Sequence, residues 1–193
     1  MVGTLFIVSV KKYRGKRMKR LAITGGIGTG KTYISRLFVQ MGIPVFYADE
    51  EAKKCYDEPE IIETIRSFFG DKVFTDKKID FKKLAEYVFQ HSERRELVNQ
   101  LIHPKVMENF DIWARKQNTA SVMMESAIVY ENGLDKFFDL VIVVDAPLEV
   151  RIKRIKKRNP NLSEEEIMTR INAQMPQEEK CKRADLVIDN RGQ

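Results

Sequence analysis

The chain has 193 residues, 43% hydrophobic and 32% charged, enough for one domain with a proper core and room for an insertion. Its net charge of +6 includes Lys11, Lys12, Arg14, Lys16 and Arg17, all in an amino end without an acid. Setting those five aside leaves +1, so the body is near neutral and the basic pI gives no ground for a nucleic-acid partner.

Residues 1–17 hold an apolar run, Leu5 to Val10, too short to span a membrane. Positive charge follows that run, whereas a secretory signal places it before. The segment reads as a disordered extension, or as a misassigned start ahead of Met18. No later segment resembles a membrane span. Cys55 and Cys181 form no CxxC pair, and His91 and His103 lack metal-site spacing. That implies two free thiols, no zinc and a reducing, cytoplasmic setting.

In chain order, "RLAITG" reads as a buried strand that runs into a loop with four glycines in six residues. Ile34, Leu37, Phe38 and Met41 then recur at helical spacing. Gly42 ends that helix, and "IPVFYAD" reads as a second strand. Strand, helix and strand within about thirty residues make a βαβ unit and imply a parallel sheet. From Glu50 to Lys116 the pattern is amphipathic and helical, broken by "FGDKVFTDKKID", and reads as an inserted helical subdomain. "ASVMMESAIVY" and "LVIVVDAP" are near-continuous apolar runs, as strands covered on both faces should be. "LEVRIKRIKKR" and "SEEEIMTRINAQM" read as helices, the second opened by a Ser163/Glu166 capping box. "ADLVIDN" reads as a last strand.

Gly25 to Thr32, "GGIGTGKT", fits G-x-x-x-x-G-K-[ST] between a strand and a helix. Glycines let the backbone curl around an anion, and the helix amino terminus adds partial positive charge. In that pattern Lys31 reaches the β and γ phosphates and Thr32 offers a hydroxyl to Mg²⁺. The loop thus implies a nucleoside triphosphate site built from Gly26, Ile27, Gly28, Thr29, Gly30, Lys31 and Thr32.

A GTPase would carry an N-K-x-D base reader, which is missing. A motor ATPase would carry a strand ending in Asp-Glu, and "SVMMES" offers Glu125 alone. A small-molecule kinase needs an acid near the acceptor hydroxyl and cations near the transferred group. Asp49, at the end of the second strand, suits the first need, though a helix cap is the alternative. Arg151, Arg154 and Arg158 fall on about one helical face and suit the second, as a closing lid would, though a solvated face is the alternative.

These residues resemble the dephospho-coenzyme A kinase family along most of the chain from Met18. "LAITGGIGTGKT", "GIPVFYADEEAK", "LIHPKV", "ESAIVYENGL", "VVDAPLEVRIKRIKKR", "AQM" and "ADLVIDNRG" each resemble a family segment. Tyr47, Phe81 and Ala127 depart from its pattern, in place of an Asp, an Arg and a Pro. The resemblance implies an α/β fold: a three-layer P-loop kinase core of about five parallel strands, a helical acceptor-binding insertion at 57–116 and a helical lid at 150–176. It implies a cytoplasmic, ATP- and Mg²⁺-dependent transferase that phosphorylates the ribose 3′-hydroxyl of dephospho-CoA, the last step of coenzyme A biosynthesis. Its partners would be those two substrates, with no nucleic acid or membrane, as a monomer or weak homo-oligomer. Asp49 would be the base, with Lys31 and Arg154 also catalytic. Arg158 and Asn190 would bind the nucleotide, and His103, Pro104 and Lys82 the acceptor. A nucleoside or nucleotide kinase of the same fold would share the P-loop, the lid arginines and an acid near Asp49, and would differ in the acceptor pocket.

Overall fold

Ala22, Ile23 and Thr24 have no exposed surface, and they set the centre of the sheet. They belong to β1 (Lys19–Thr24), which pairs in parallel with β5 (Ser121–Glu125) on one side and β6 (Leu140–Asp145) on the other. β6 pairs in parallel with β7 (Leu186–Asp189), and β2 (Val45–Tyr47) completes the order β2-β5-β1-β6-β7. This computed structural model describes residues 18–89 and 91–192. The extension expected over residues 1–17 lies outside the described residues.

The chain divides into two compact units, Met1–Phe46 with Gln117–Gln193, and Tyr47–Lys116. In the first, the near-continuous apolar runs have the meaning expected of them. Ile23, Ile142 and Val144 pack with Ile34 of α1 (Lys31–Gln40) on one side of the sheet. Their neighbours Ala22, Val141 and Val143 pack with Val129 and Tyr130 on the other, where Cys181 and Ala184 join them. Successive side chains of one strand alternate faces, so only a strand covered on both sides is apolar throughout. Helix, sheet and helix make the three layers.

Three further helices complete this unit: α6 (Leu148–Arg158), α7 (Glu164–Asn172) and α8 (Gln177–Arg183). The Ser163/Glu166 capping box forms in both directions, at 3.1 and 2.7 Å. Helix α8 has no counterpart in the sequence reading, since seven residues are too few to show a period.

The second unit consists of α2 (Ala48–Cys55), α3 (Pro59–Phe69), α4 (Phe81–Phe89) and α5 (Ser92–Arg115), with a small hairpin. Helix α5 packs against α2, α3 and α4. Its stripe Val98, Ile102, Val106 and Phe110 is buried, as are Ile61, Ile65 and Phe69 of α3. Steps of four residues keep each stripe on one side of its helix. The break in the helical pattern is the hairpin β3 (Phe74–Thr75) and β4 (Lys78–Ile79). Asp76 and Lys77 turn it with φ of 49° and 65°. Two positive φ values in a two-residue loop are the type I′ geometry that suits strand twist. The second strand proves shorter than "IPVFYAD": Asp49, Glu50 and Glu51 occupy the first turn of α2, where negative charge favours a helix start. Among the described residues no helix is long and apolar enough to cross a membrane.

Candidate active site

The loop from Gly25 to Gly30 leaves the carboxyl end of β1 and enters α1 directly. Gly25 has no substitute, because a Cβ there would lie 2.4 Å from the Val144 carbonyl oxygen. Gly30, at φ 93°, is the N-cap of α1, and the first turn of α1 carries no acidic residue. The positive end of the helix dipole is thus left for an anion. Lys31 opens the helix, and its Nζ donates to the Gly25 carbonyl at 2.7 Å. Thr32 Oγ1 donates to Glu125 Oε1, at the end of β5, at 3.1 Å.

Five side chains from later in the chain hold this loop by its backbone. Gly26 N–H donates to Gln177 Oε1 at 2.8 Å and Ile27 N–H to Gln174 Oε1 at 2.7 Å. Arg151 Nε donates to the Ile27 carbonyl at 2.9 Å. Arg154 Nη1 donates to the Thr29 carbonyl at 3.2 Å, and its Nη2 to the carbonyls of Asn190 and Gly192, each at 2.9 Å. Asn190 Nδ2 donates to the Thr29 carbonyl at 2.8 Å.

The three arginines of α6 therefore do not act alike, although their spacing suggests one face. Arg151 is 5% exposed beneath the loop, and burial lowers its pKa against the opposing pull of Asp145. Arg154 is half-buried and engaged by backbone carbonyls, and Arg158 is exposed at the end of the helix. The loop packs over the first two turns of α6 and leaves the third in solvent.

In the helical unit, Asp49 is exposed in the first turn of α2. The N-cap of α2 is Tyr47, with no side-chain cap bond, so Asp49 is not the cap. His103 is half-buried on α5, and burial pushes its imidazole below the ordinary value against an opposing effect of Glu96. Pro104 lies inside α5 and is exposed. Asp80 accepts the N–H groups of Lys82 and Lys83 as α4 begins. Lys83 Nζ is engaged by the Phe74 carbonyl and Thr75 Oγ1, while Lys82 is exposed. Phe81 packs edge-on against Tyr56, with centroids 5.1 Å apart.

Comparison with known proteins bears directly on this arrangement. A family model described as dephospho-CoA kinase matches residues 20–193. The chain belongs to the dephospho-CoA kinase family. A dephospho-CoA kinase of Bacteroides fragilis is 42% identical over 176 residues, which cover 90% of this chain and 85% of that one. One of Fusobacterium nucleatum is 36% identical over 172 residues, 88% of each chain. Among solved structures, TT1252 of Thermus thermophilus superposes with a TM-score of 0.84 at 33% identity, covering 92% of this chain and 91% of that one. The dephospho-CoA kinase of Campylobacter jejuni gives 0.64 at 29%, covering 92% and 90%.

Four residues of this kinase were hidden or undervalued in its sequence. In the sequence Glu125 reads only as an incomplete motor motif, because a lone acid after a strand has no signature until Thr32 is seen beside it. Gln174 stands in the "AQM" segment that resembles the family, with nothing local to say what it holds, and Gln177 carries no charge and no motif. Arg151 belongs to a run of cations whose burial differs only in three dimensions.

Proposed function

We infer that this chain catalyses the reaction of its family: ATP-dependent phosphorylation of the ribose 3′-hydroxyl of dephospho-CoA, giving coenzyme A and ADP, in the last step of coenzyme A synthesis. The observation that carries the reading is the loop itself: a glycine cradle at a helix start free of acid, with Lys31 at its mouth and Thr32 beside Glu125.

Thr32 and Glu125 offer oxygen donors only, and hard oxygen donors are what Mg²⁺ takes. That pair fits the ion, with the nucleotide phosphates as the remaining donors. When bound, Mg²⁺ supplies neutralisation of charge on the phosphate oxygens. Lys31 leaves the Gly25 carbonyl and binds the phosphates as a point charge. Arg154 and Asn190 keep the far half of the loop in shape and support the nucleotide there. Arg158, exposed at the end of α6, joins Arg154 in closing on the transferring group, with segment 150–176 as the lid.

Asp49 orients the acceptor hydroxyl and takes its proton. Its exposure and its lack of a capping role support that assignment. His103 enters as a neutral imidazole on the acceptor side, with Pro104 and Lys82. Closure over the substrates keeps water from the phosphoryl group.

The test is a coupled ADP-release assay with ATP, Mg²⁺ and a panel of dephospho-CoA, adenosine, AMP, CMP and shikimate. Turnover with dephospho-CoA alone, giving a product with the mass of coenzyme A, is expected. Turnover with another acceptor instead would overturn the acceptor assignment.

A further inference from the structure

The first half of the nucleotide loop is held differently from the second. Three backbone groups of Gly26 and Ile27 are engaged by side chains from three places: Gln177 at the start of α8, Gln174 between α7 and α8, and Arg151 of α6. Gln177 is itself fixed, since its Nε2 donates to the Val144 carbonyl at 3.0 Å, at the carboxyl end of β6. Arg151 is nearly sealed from solvent. The fit is close: a Cβ on Gly26 would lie 2.5 Å from Arg151 Nη2 and 3.1 Å from Gln177 Oε1.

Buried backbone groups are costly to leave without a partner, so a loop that offers its own N–H groups to a ligand must be shaped by other means. We propose that Gln177 and Arg151 form a positioning clamp that sets the curvature of the phosphate loop and thereby the affinity for ATP. The clamp occupies the N–H of Gly26 and the carbonyl of Ile27, and commits the N–H groups at the start of α1 to the phosphates. Both residues are engaged by the backbone of the loop, and Gln177 by that of β6 as well. Gln174, which joins the clamp at Ile27 N–H, ties the carboxyl end of the lid segment to the same loop. Motion of the lid is therefore transmitted to the site that holds the nucleotide. The proposal rests on the loop being the ATP site.

The experiment measures the dissociation constant for Mg²⁺·ATP by titration calorimetry in the full chain, with KM for dephospho-CoA and kcat from the coupled assay. The proteins are wild type, Gln177→Ala, Arg151→Ala and the double variant. Each single variant is expected to weaken ATP about tenfold, the consequence of one lost net hydrogen bond. KM for dephospho-CoA should stay within about twofold, since the clamp acts on one substrate only. The double variant should fall well short of the product of the singles, because residues that act as one unit are not additive. Arg151 is buried, and where its alanine variant fails to fold, Gln177→Ala, half-buried, decides alone, with its melting temperature as the control. Unchanged ATP affinity in folded Gln177→Ala overturns the clamp. So does an equal loss for both substrates, which marks a general structural role. Wild-type protein that turns over without measurable ATP affinity at this loop would overturn the nucleotide reading instead.

Discussion

Asn190 Nδ2 donates to the carbonyl of Thr29 at 2.8 Å, joining the last strand to the phosphate loop across 161 residues. The same nitrogen lies 2.3 Å from where a Cβ on Gly30 would stand, and Gly30 has φ 93°. Asn190→Asp replaces the donor by a carboxylate facing a carbonyl oxygen. It should weaken ATP at least tenfold, about 1.4 kcal/mol, and more than Asn190→Ala does. Wild-type affinity in both the Asp and Ala variants, measured by calorimetry, would show that the bond does not matter. Gly30→Ala meets both the contact and the left-handed backbone, and should abolish detectable ATP binding.

Asp49→Asn keeps the size and exposure of the side chain and removes the base. A positioned base is worth about 10²–10⁴ in rate, so kcat should fall within that range while the ATP dissociation constant stays within about twofold. Single-turnover kinetics at saturating substrates read the step directly. A parallel collapse of ATP binding would assign Asp49 to the metal or to the fold.

Glu125→Gln leaves an amide beside Thr32, which neutralises the acid proposed to help hold Mg²⁺. The Mg²⁺ concentration for half-maximal activity should rise about tenfold, while nucleotide affinity in EDTA stays unchanged. An unaltered Mg²⁺ dependence would remove Glu125 from the site.

The legible features were those with a local physical cause. Gly25 to Thr32 is readable because its glycines, lysine and threonine form one pattern within eight positions between a strand and a helix, and the apolar runs of β5 and β6 because two faces must be covered. Alternating cores at Ala22 and Ile23 follow from the same rule. The hairpin at Asp76 and Lys77 was not readable, since the turn holds no glycine and one of its two positive φ values falls on a lysine, which seldom adopts it. The loop's supports were not readable either. Gln177 lies 151 residues from Gly26, and no period or spacing in a sequence encodes a hydrogen bond at that separation.

His103 carries a pH signature. Its imidazole is held below the ordinary value of about 6.5 by burial. The unfolded chain therefore takes up the proton first, and stability falls as pH drops through that ordinary value. Urea unfolding at pH 7.5 and 5.5 should show a smaller loss for His103→Asn than for wild type. The comparison cancels His91 and the carboxylates, which are common to both proteins. Identical losses would mean that the imidazole titrates normally in the folded state.

Lys180 has no exposed surface, and its Nζ donates to the Ala127 carbonyl and to Glu131 Oε1, each at 2.6 Å. Burial lowers the pKa of its ammonium and Glu131 opposes that shift. Removing one partner of a buried pair leaves the other uncompensated, at about 3–5 kcal/mol where both are sealed. Glu131 keeps 21% of its side-chain surface, so Lys180→Met should cost less, about 2–3 kcal/mol. Adding Glu131→Gln should recover part of the loss, because the orphaned charge is then gone. Glu131 also accepts the N–H of Met175 at 3.0 Å, next to the Gln174 that holds Ile27. The destabilised variant should therefore bind ATP a few-fold more weakly even where it is fully folded. Urea unfolding and calorimetry on the same preparations test both statements. A loss below about 1 kcal/mol would place the Lys180–Glu131 pair among the weak surface ion pairs.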